Sequence, residues 1–238
     1  MKTELSIIIP VYNEEEWICK SISRLYEETE RAGINFEIIA IDDGSSDNGI
    51  SLLRKLQSDL PHLRIISGPH RGKGYALRHG IHKAQGEVVC MLDADIPVEY
   101  SQIHKFFRIV QREKLDIIIA SRFVHGGTYH TPYSRKVISI MFRVFRIAIL
   151  GMSHIRDTQC GVKLARTQSI KSLLSQCFVD GYCFDTELLY LASKMNFRIR
   201  ELPVQIVTFR STRIQLLRAS IIMIRDLILI RMVHSGRI

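Results

Sequence analysis

Short apolar runs alternate with longer amphipathic segments through the first half of the chain. Leu5-Ser6-Ile7-Ile8-Ile9 has the pattern of a buried strand, and Pro10, which has no N–H to give, ends it or sets it at an edge. Asn13 is placed to cap a helix running to about Arg31, with Glu14, Glu15 and Glu16 near its positive end. Phe36 to Ile41 predicts a second strand, ending in Asp42-Asp43-Gly44-Ser45-Ser46-Asp47. Ser46 or Asp47 would then cap a helix to about Ser58. Leu63 to Ile66 is a third short strand, and Gly72 to Gln85 a helix opened by glycines and ended at Gly86. Glu87 to Leu92 predicts a further strand, followed by a helix from about Ser101 to Glu113 and a strand from Asp116 to Ala120. Strands separated by helix-length connections imply parallel pairing through right-handed crossovers, hence an α/β fold with a mostly parallel sheet. No repeat, low-complexity tract or Pro/Gly/Ser linker interrupts the chain. One domain over 1–238 is expected, 1–125 and 126–238 forming its two parts.

The pattern changes after Gly127. Val137 to Leu150 is almost wholly apolar, with Arg135, Ser139, Arg143 and Arg146 on one helical stripe. A second such segment runs from about Ile214 to Val233. Gln215, Arg218, Arg225 and Asp226 gather on one side of it, and Arg231 lies elsewhere. Helices of this kind either lie in a membrane interface or pack on a core with solvated arginines; the pattern alone allows both.

Composition narrows the partners. Of 238 residues, 33 are Lys or Arg and 24 Asp or Glu, a net charge of +9, so the surface attracts anions: nucleic acid, anionic lipid or phosphorylated small molecules. Aromatic-interleaved basic motifs are missing and the cations are dispersed, which argues against a nucleic-acid-binding protein. Five scattered cysteines (Cys19, Cys90, Cys160, Cys177, Cys183) form no Cys-x-x-Cys pair and fit reduced, partly core thiols of a cytosolic protein. His79 and His82 lack further ligand groups and fit the surface. The first strand begins too early to leave room for a signal peptide, and no charge-free apolar run is long enough to span a bilayer. A cytoplasmic protein, peripheral on the cytosolic face of a membrane, is the expectation that includes the two apolar segments.

The chemistry gathers at strand ends. Asp42-Asp43-Gly44-Ser45 and Asp93-Ala94-Asp95 both follow apolar strands, and ligands of open α/β sheets bind beyond the carboxyl ends of the strands. Turns and helix caps also use Asp. Several carboxylates facing one crevice, however, repel each other unless a hard cation joins them, and such a cation also binds phosphate oxygens. Gly72-Lys73-Gly74 would bring backbone amides and an ammonium to those phosphates. It is no Walker A loop, and no Gly-x-Gly-x-x-Gly follows the first strand.

Taken in order, Ile7-Ile8-Ile9-Pro10-Val11-Tyr12-Asn13-Glu14-Glu15, Asp42-Asp43-Gly44-Ser45, Gly72-Lys73-Gly74-Tyr75-Ala76 and Asp93-Ala94-Asp95 resemble the family 2 inverting glycosyltransferases of the GT-A nucleotide-sugar fold. Ser121-Arg122-Phe123-Val124-His125-Gly126-Gly127, Arg135-Lys136 and Arg156-Asp157-Thr158-Gln159-Cys160-Gly161-Val162-Lys163-Leu164 are similar to the acceptor side of polyprenyl-phosphate (dolichyl-phosphate) hexosyltransferases. The Asp-Thr-Gln-Cys-Gly form is most similar to dolichyl-phosphate β-glucosyltransferases.

The resemblance implies a transfer of hexose, glucose from UDP-glucose being favoured, onto polyprenyl or dolichyl phosphate, with Mg2+ or Mn2+ held by Asp93 and Asp95. It implies that Pro10, Tyr12, Glu14, Asp42, Asp43 and Lys73 bind the donor. Arg122, Arg135 and Ser139 would hold the acceptor phosphate, and Asp157 would stand near the chemistry, as a base for a hydroxyl acceptor or in a structural or sugar-orienting role. Mannosyltransferase relatives commonly carry Gln where this chain has Pro97, which leaves the third metal ligand unassigned. Transfer from GDP-mannose and transfer to a glycan hydroxyl are the competing readings, and the oligomeric state is not implied.

Overall fold

The computed structural model describes residues 2–95, 98–127, 133–206 and 216–236. Side chains of residues 133–135 and 216–218 lie outside this description, as do Pro97 and Gln215. Seven strands form one sheet in the order β3-β2-β1-β4-β6-β5-β7. They are β1 (Leu5–Val11), β2 (Phe36–Asp43), β3 (Leu63–Gly68), β4 (Val88–Leu92), β5 (Ile117–Ser121), β6 (Val162–Arg166) and β7 (Ile199–Pro203). β6 runs antiparallel between β4 and β5, and every other pairing is parallel.

The period-2 alternation divides each central strand between two cores. Leu5, Ile7, Ile9 and Val11 of β1, with Val88, Cys90 and Leu92 of β4, face a cluster that includes Ile18, Ile22 and Leu25 of α1 (Ile18–Arg31) and Ile103, Phe106 and Val110 of α4 (Tyr100–Glu113). Ile8, Val89 and Met91 face the opposite cluster. That second cluster is built with α3 (Lys73–Lys83), α6 (Thr167–Leu174), α7 (Phe184–Lys194) and α8 (Leu216–His234). The remaining helices are α2 (Gly49–Leu56) and α5 (Tyr133–Leu150). A sheet covered on both faces explains why its strands are near-continuous apolar runs.

Some expected boundaries move. β1 continues through Pro10 to Val11, because its pairing with β4 stops at Ile8↔Met91 and the missing N–H interrupts no ladder there. Asn13 does not cap α1, which begins five residues later at Ile18. Its backbone is left-handed, at φ 54°, and its Oδ1 accepts the N–H of Ser46 at 2.8 Å. Glu15 N–H donates to Asp47 Oδ2 at 2.9 Å, and Asn48 N–H to Glu15 Oε2 at 3.1 Å. The Asn13 and Glu15 side chains thus serve the loop after β2, while the Glu14 carbonyl accepts the Ile18 N–H at 3.0 Å and so opens α1.

Both apolar segments pack residues on the core and also leave apolar side chains exposed. On α5, Phe142 and Ile149 pack against the core, while Val137, Ile140, Met141, Val144 and Phe145 are exposed. On α8, Leu227 and Ile230 are buried, and Ile221, Ile222, Ile228, Met232 and Val233 are exposed. The polar stripes are not solvated throughout. Arg146 is 1% exposed, donates to the Met152 carbonyl at 2.8 Å, and has its pKa pushed down to about 10 by burial and by Arg143. Asp226 is buried as well. No helix among the described residues is long and apolar enough to cross a membrane.

Candidate active site

β1, β2 and β4 deliver Tyr12, Asp42-Asp43 and Asp93-Asp95 to one end of the sheet. The strand order reverses here, since β2 and β3 extend to one side of β1 and β4 lies on the other, which opens the crevice where open α/β sheets bind ligands. Tyr12 is 45% exposed and stacks on His70, with ring centroids 4.1 Å apart and planes at 16°. Pro10 and Glu14 are half-buried beside it, and Asp42 accepts the Ser45 N–H at 2.8 Å.

Asp43, expected on the donor side, is buried and its carboxylate is engaged within the protein. Its carboxylate accepts the N–H groups of Arg71 at 2.8 Å and Gly72 at 2.9 Å, and its Oδ2 lies 2.9 Å from His70 Nδ1. It therefore shapes the loop from behind. The amides expected to cradle phosphate are spent in the same way: Gly74 and Tyr75 both donate to the Asp180 carbonyl, at 2.7 and 3.3 Å. Gly72 is in the left-handed region at φ 114°, with space beside it only for the Asp180 carbonyl, so glycine is required there. From this loop the Lys73 side chain reaches Asp93 and Asp185.

Lys73 Nζ lies 2.7 Å from Asp93 Oδ1 and 3.3 Å from Asp185 Oδ2. The other Asp185 oxygen is 2.8 Å from Lys163 Nζ, which also donates to the Cys160 carbonyl at 2.6 Å. Burial by itself would lower the Lys73 pKa; Asp185 and Asp93 overcome this and raise it above the ordinary lysine value. Burial would likewise raise the Asp185 pKa, and the charges of Lys163 and Lys73 hold it below the usual carboxylate range. Gly161 abuts Asp93 so closely that a Cβ there would overlap Asp93 Oδ2. Asp93 and Asp95 are both half-buried. Among the described residues no three His, Cys, Asp or Glu side chains gather as a metal cage. Asp93 and Asp95 offer two hard oxygen groups, one of them already facing a cation, and would suit a hard divalent ion such as Mg2+ or Mn2+ that also binds phosphate.

Arg122 and Asp157 form a bidentate pair. Arg122 Nε donates to Asp157 Oδ2 and Nη2 to Oδ1, both at 2.8 Å, and the Arg122 backbone N–H reaches Oδ2 at 3.0 Å. Burial acts to raise the Asp157 pKa, but these bonds and the Arg122 charge hold it below the usual range. Both Asp157 oxygens are thus engaged, and they fix the orientation of the Arg122 guanidinium. Ser139 is half-buried on α5; Arg135 lies on the same helix, its side chain outside the described residues.

Sequence reasoning missed Asp185, Asp180 and His70. A signal was present for Asp185: Asp185 and Glu187 interrupt an otherwise apolar helix, and charges buried in such a helix must find partners. Glu187 is paired in this way with His234 of α8, at 2.9 Å. The buried thiols are inert core groups, burial pushing Cys90 up to about 12 and Cys160 to about 11.

Comparison with known proteins places this geometry. Residues 6–174 match the family described as "Glycosyl transferase family 2". The dolichyl-phosphate beta-glucosyltransferase of Dictyostelium discoideum is 30% identical over 241 residues, which cover 95% of this chain and 73% of that protein. One from Trichomonas vaginalis is 31% identical over 215 residues, covering 84% of this chain and 65% of its own length, so the chain spans just under two thirds of that relative. The one from Saccharomyces cerevisiae is 29% identical over 250 residues, covering 97% and 75%. Glucosyl-3-phosphoglycerate synthase from Mycobacterium tuberculosis, solved with Mn2+, UDP and glucosyl-3-phosphoglycerate, superposes with a TM-score of 0.74 at 20% identity, over 98% of this chain and 80% of that one. Mannosyl-3-phosphoglycerate synthase from Rubrobacter xylanophilus does so with a TM-score of 0.74 at 17% identity, over 99% and 76%. These two likenesses establish the fold. The chain belongs to glycosyltransferase family 2 and is built on its GT-A architecture.

Proposed function

We propose that this chain is a metal-dependent inverting hexosyltransferase that moves glucose from UDP-glucose to the phosphate of a dolichyl or other polyprenyl phosphate. The observation that carries the reading is the contact of Gly161, in the Asp-Thr-Gln-Cys-Gly segment, with Asp93 of the strand-end carboxylate pair. The segment that resembles the acceptor side of the β-glucosyltransferases is thereby built directly onto the donor side. Relatives about 30% identical over most of the chain carry the dolichyl-phosphate beta-glucosyltransferase name.

In this reading residues 1–125 form the nucleotide-sugar part, and residues 126–238, joined by Arg122, the acceptor part. Tyr12 stacks on the base within a pocket bordered by Pro10, Glu14 and Asp42. Asp93 and Asp95 hold Mg2+ or Mn2+, which when bound neutralises charge developing on the diphosphate leaving group. Lys73 supplies a further positive charge to the same diphosphate. Arg122, kept rigid by Asp157, acts with Arg135 and Ser139 to hold the acceptor phosphate on the face opposite the leaving group, so that attack inverts the anomeric carbon. A phosphate monoester has its second pKa near ~6 and is already largely a dianion at neutral pH, so placement serves it better than a general base. This agrees with an Asp157 whose oxygens are both spent.

The exposed apolar faces of α5 and α8, with exposed Lys136, Arg225 and Arg231 among them, would rest at the cytosolic surface of a membrane and bring the site to an insoluble acceptor. The deciding experiment is a donor screen with UDP-glucose, GDP-mannose and UDP-N-acetylglucosamine against polyprenyl phosphate, with free glycans as control acceptors. Glucosyl phosphoryl polyprenol is the expected product. Preferential use of GDP-mannose, or of a glycan hydroxyl, would overturn the assignment.

A further inference from the structure

Lys73, Asp93, Asp185 and Lys163 form a chain of alternating charge that links donor and acceptor sides. Lys163 Nζ and Asp185 are 2.8 Å apart, Asp185 and Lys73 Nζ 3.3 Å, and Lys73 Nζ and Asp93 2.7 Å. Its two ends differ in freedom. The Lys163 side chain is 1% exposed and that of Asp185 4%, whereas Lys73 is 24% and Asp93 36% exposed. Lys163 is further fixed by the Cys160 carbonyl at 2.6 Å. The four charges sum to zero, so the chain is balanced as it stands. A divalent cation on Asp93 would add two positive charges beside the Lys73 ammonium, and like charges at contact distance in a half-buried site repel strongly.

We propose that Lys73 and the donor's divalent cation compete for Asp93, and that Asp185 is the fixed carboxylate on which Lys73 pivots when the cation arrives. The inference rests on the reading of Asp93 as a ligand of that cation. Lys73 already touches Asp185, so leaving Asp93 requires a shift of its terminal atoms and no rearrangement of α3. The diphosphate of the donor then offers the displaced ammonium a new partner. The cation therefore binds weakly alone and tightly together with a nucleoside diphosphate, which couples metal and donor binding through Lys73 as well as through direct coordination. Asp185 acts here as a positioning residue, through Lys73.

The test is Mn2+ binding to the full chain, read from the electron paramagnetic resonance signal of free Mn2+, first alone and then with UDP. Lys73→Met should tighten Mn2+ binding in the absence of nucleotide by roughly tenfold, and UDP should tighten it further by a smaller factor than in the unmodified protein. Lys73→Arg, which keeps charge and reach, should leave Mn2+ binding weak. Asp185→Asn should weaken Mn2+ binding when Lys73 is present and do so much less in the Lys73→Met background. Unchanged or weaker Mn2+ binding by Lys73→Met overturns the proposal, as does an Asp185→Asn effect of equal size in both backgrounds. If Asp185→Asn does not fold, as judged by circular dichroism, the Lys73→Met and Lys73→Arg pair decides alone. Asp93→Asn separates the two levels: Mn2+ binding that survives it removes the ligand assignment itself, whereas its loss with an unaltered Lys73→Met overturns only the competition.

Discussion

Gly161 leaves no space for a side chain against Asp93: a β-carbon on Gly161 would overlap Asp93 Oδ2. The nearest obstacle is therefore the very group assigned to the cation, and because its Cγ is in the way as well, relief requires the whole Asp93 side chain to swing aside. Gly161→Ala should lower transfer at least tenfold and weaken Mn2+ binding, while thermal stability falls by only about 1–3 kcal/mol as for ordinary overpacking. Paired activity and thermal-melt measurements check this; unchanged Mn2+ binding would show that the carboxylate can yield without leaving its position.

Asp93→Asn and Asp95→Asn should each abolish transfer and leave the far-ultraviolet circular dichroism unchanged, because both residues are half-buried at a strand end. Loss of a ligand charge weakens the cation and with it the hold on the diphosphate. Activity that persists in EDTA and in both variants would sink metal dependence.

Breaking the Arg122–Asp157 pair should cost stability as well as turnover. Asp157 is 2% exposed, and removing one partner of a buried pair costs about 3–5 kcal/mol. The folded-state pKa of Asp157 lies below its ordinary 3.8, so its contribution is complete above pH 3.8 and is lost as pH falls through the lower folded value. The gap in denaturant-unfolding free energy between the native chain and Asp157→Asn should therefore be constant near neutrality and narrow below pH 3.8. A gap that widens on acidification would contradict the assignment.

The Tyr12–His70 stack predicts how the base is held. One face of Tyr12 is covered by His70 at 4.1 Å, and the residue is 45% exposed. Stacking of a base on an aromatic ring contributes about 1–3 kcal/mol, so Tyr12→Ala should weaken UDP binding by roughly fivefold or more. Isothermal titration with UDP is the measurement. An unaltered dissociation constant would place the base elsewhere.

Membrane attachment turns on the outward faces of α5 and α8. Val144 is 59% exposed and Ile221 70%, while Phe142 packs against the core and is a poor probe of the surface. Sedimentation with anionic liposomes should be weakened by Val144→Glu and Ile221→Glu. It should also weaken at high salt, since each basic residue near the surface contributes roughly 1 kcal/mol that ions screen. Liposome binding indifferent to both changes would assign these faces to a protein partner.

Much of this molecule was legible in its residues one after another. The near-continuous apolar strands, their helix-length spacing and the ordered Asp and Gly motifs specify a parallel α/β sheet with its chemistry at one end, because strand periodicity and turn preferences act over a few neighbouring residues. Tertiary structure decided which of the charged groups are available. Asp43 is spent on Gly72, 29 residues away, and Asp157 on Arg122, 35 residues away. Lys73 finds its second carboxylate on α7, beyond three further strands and three further helices. A local pattern cannot encode such pairings, since a buried charge takes whichever counter-charge the packing of distant elements brings within reach. The same holds for α5 and α8: their apolar residues cover more of each helix than one core contact needs, and only docking on the second core determined that Phe142 turns inward and Val144 outward.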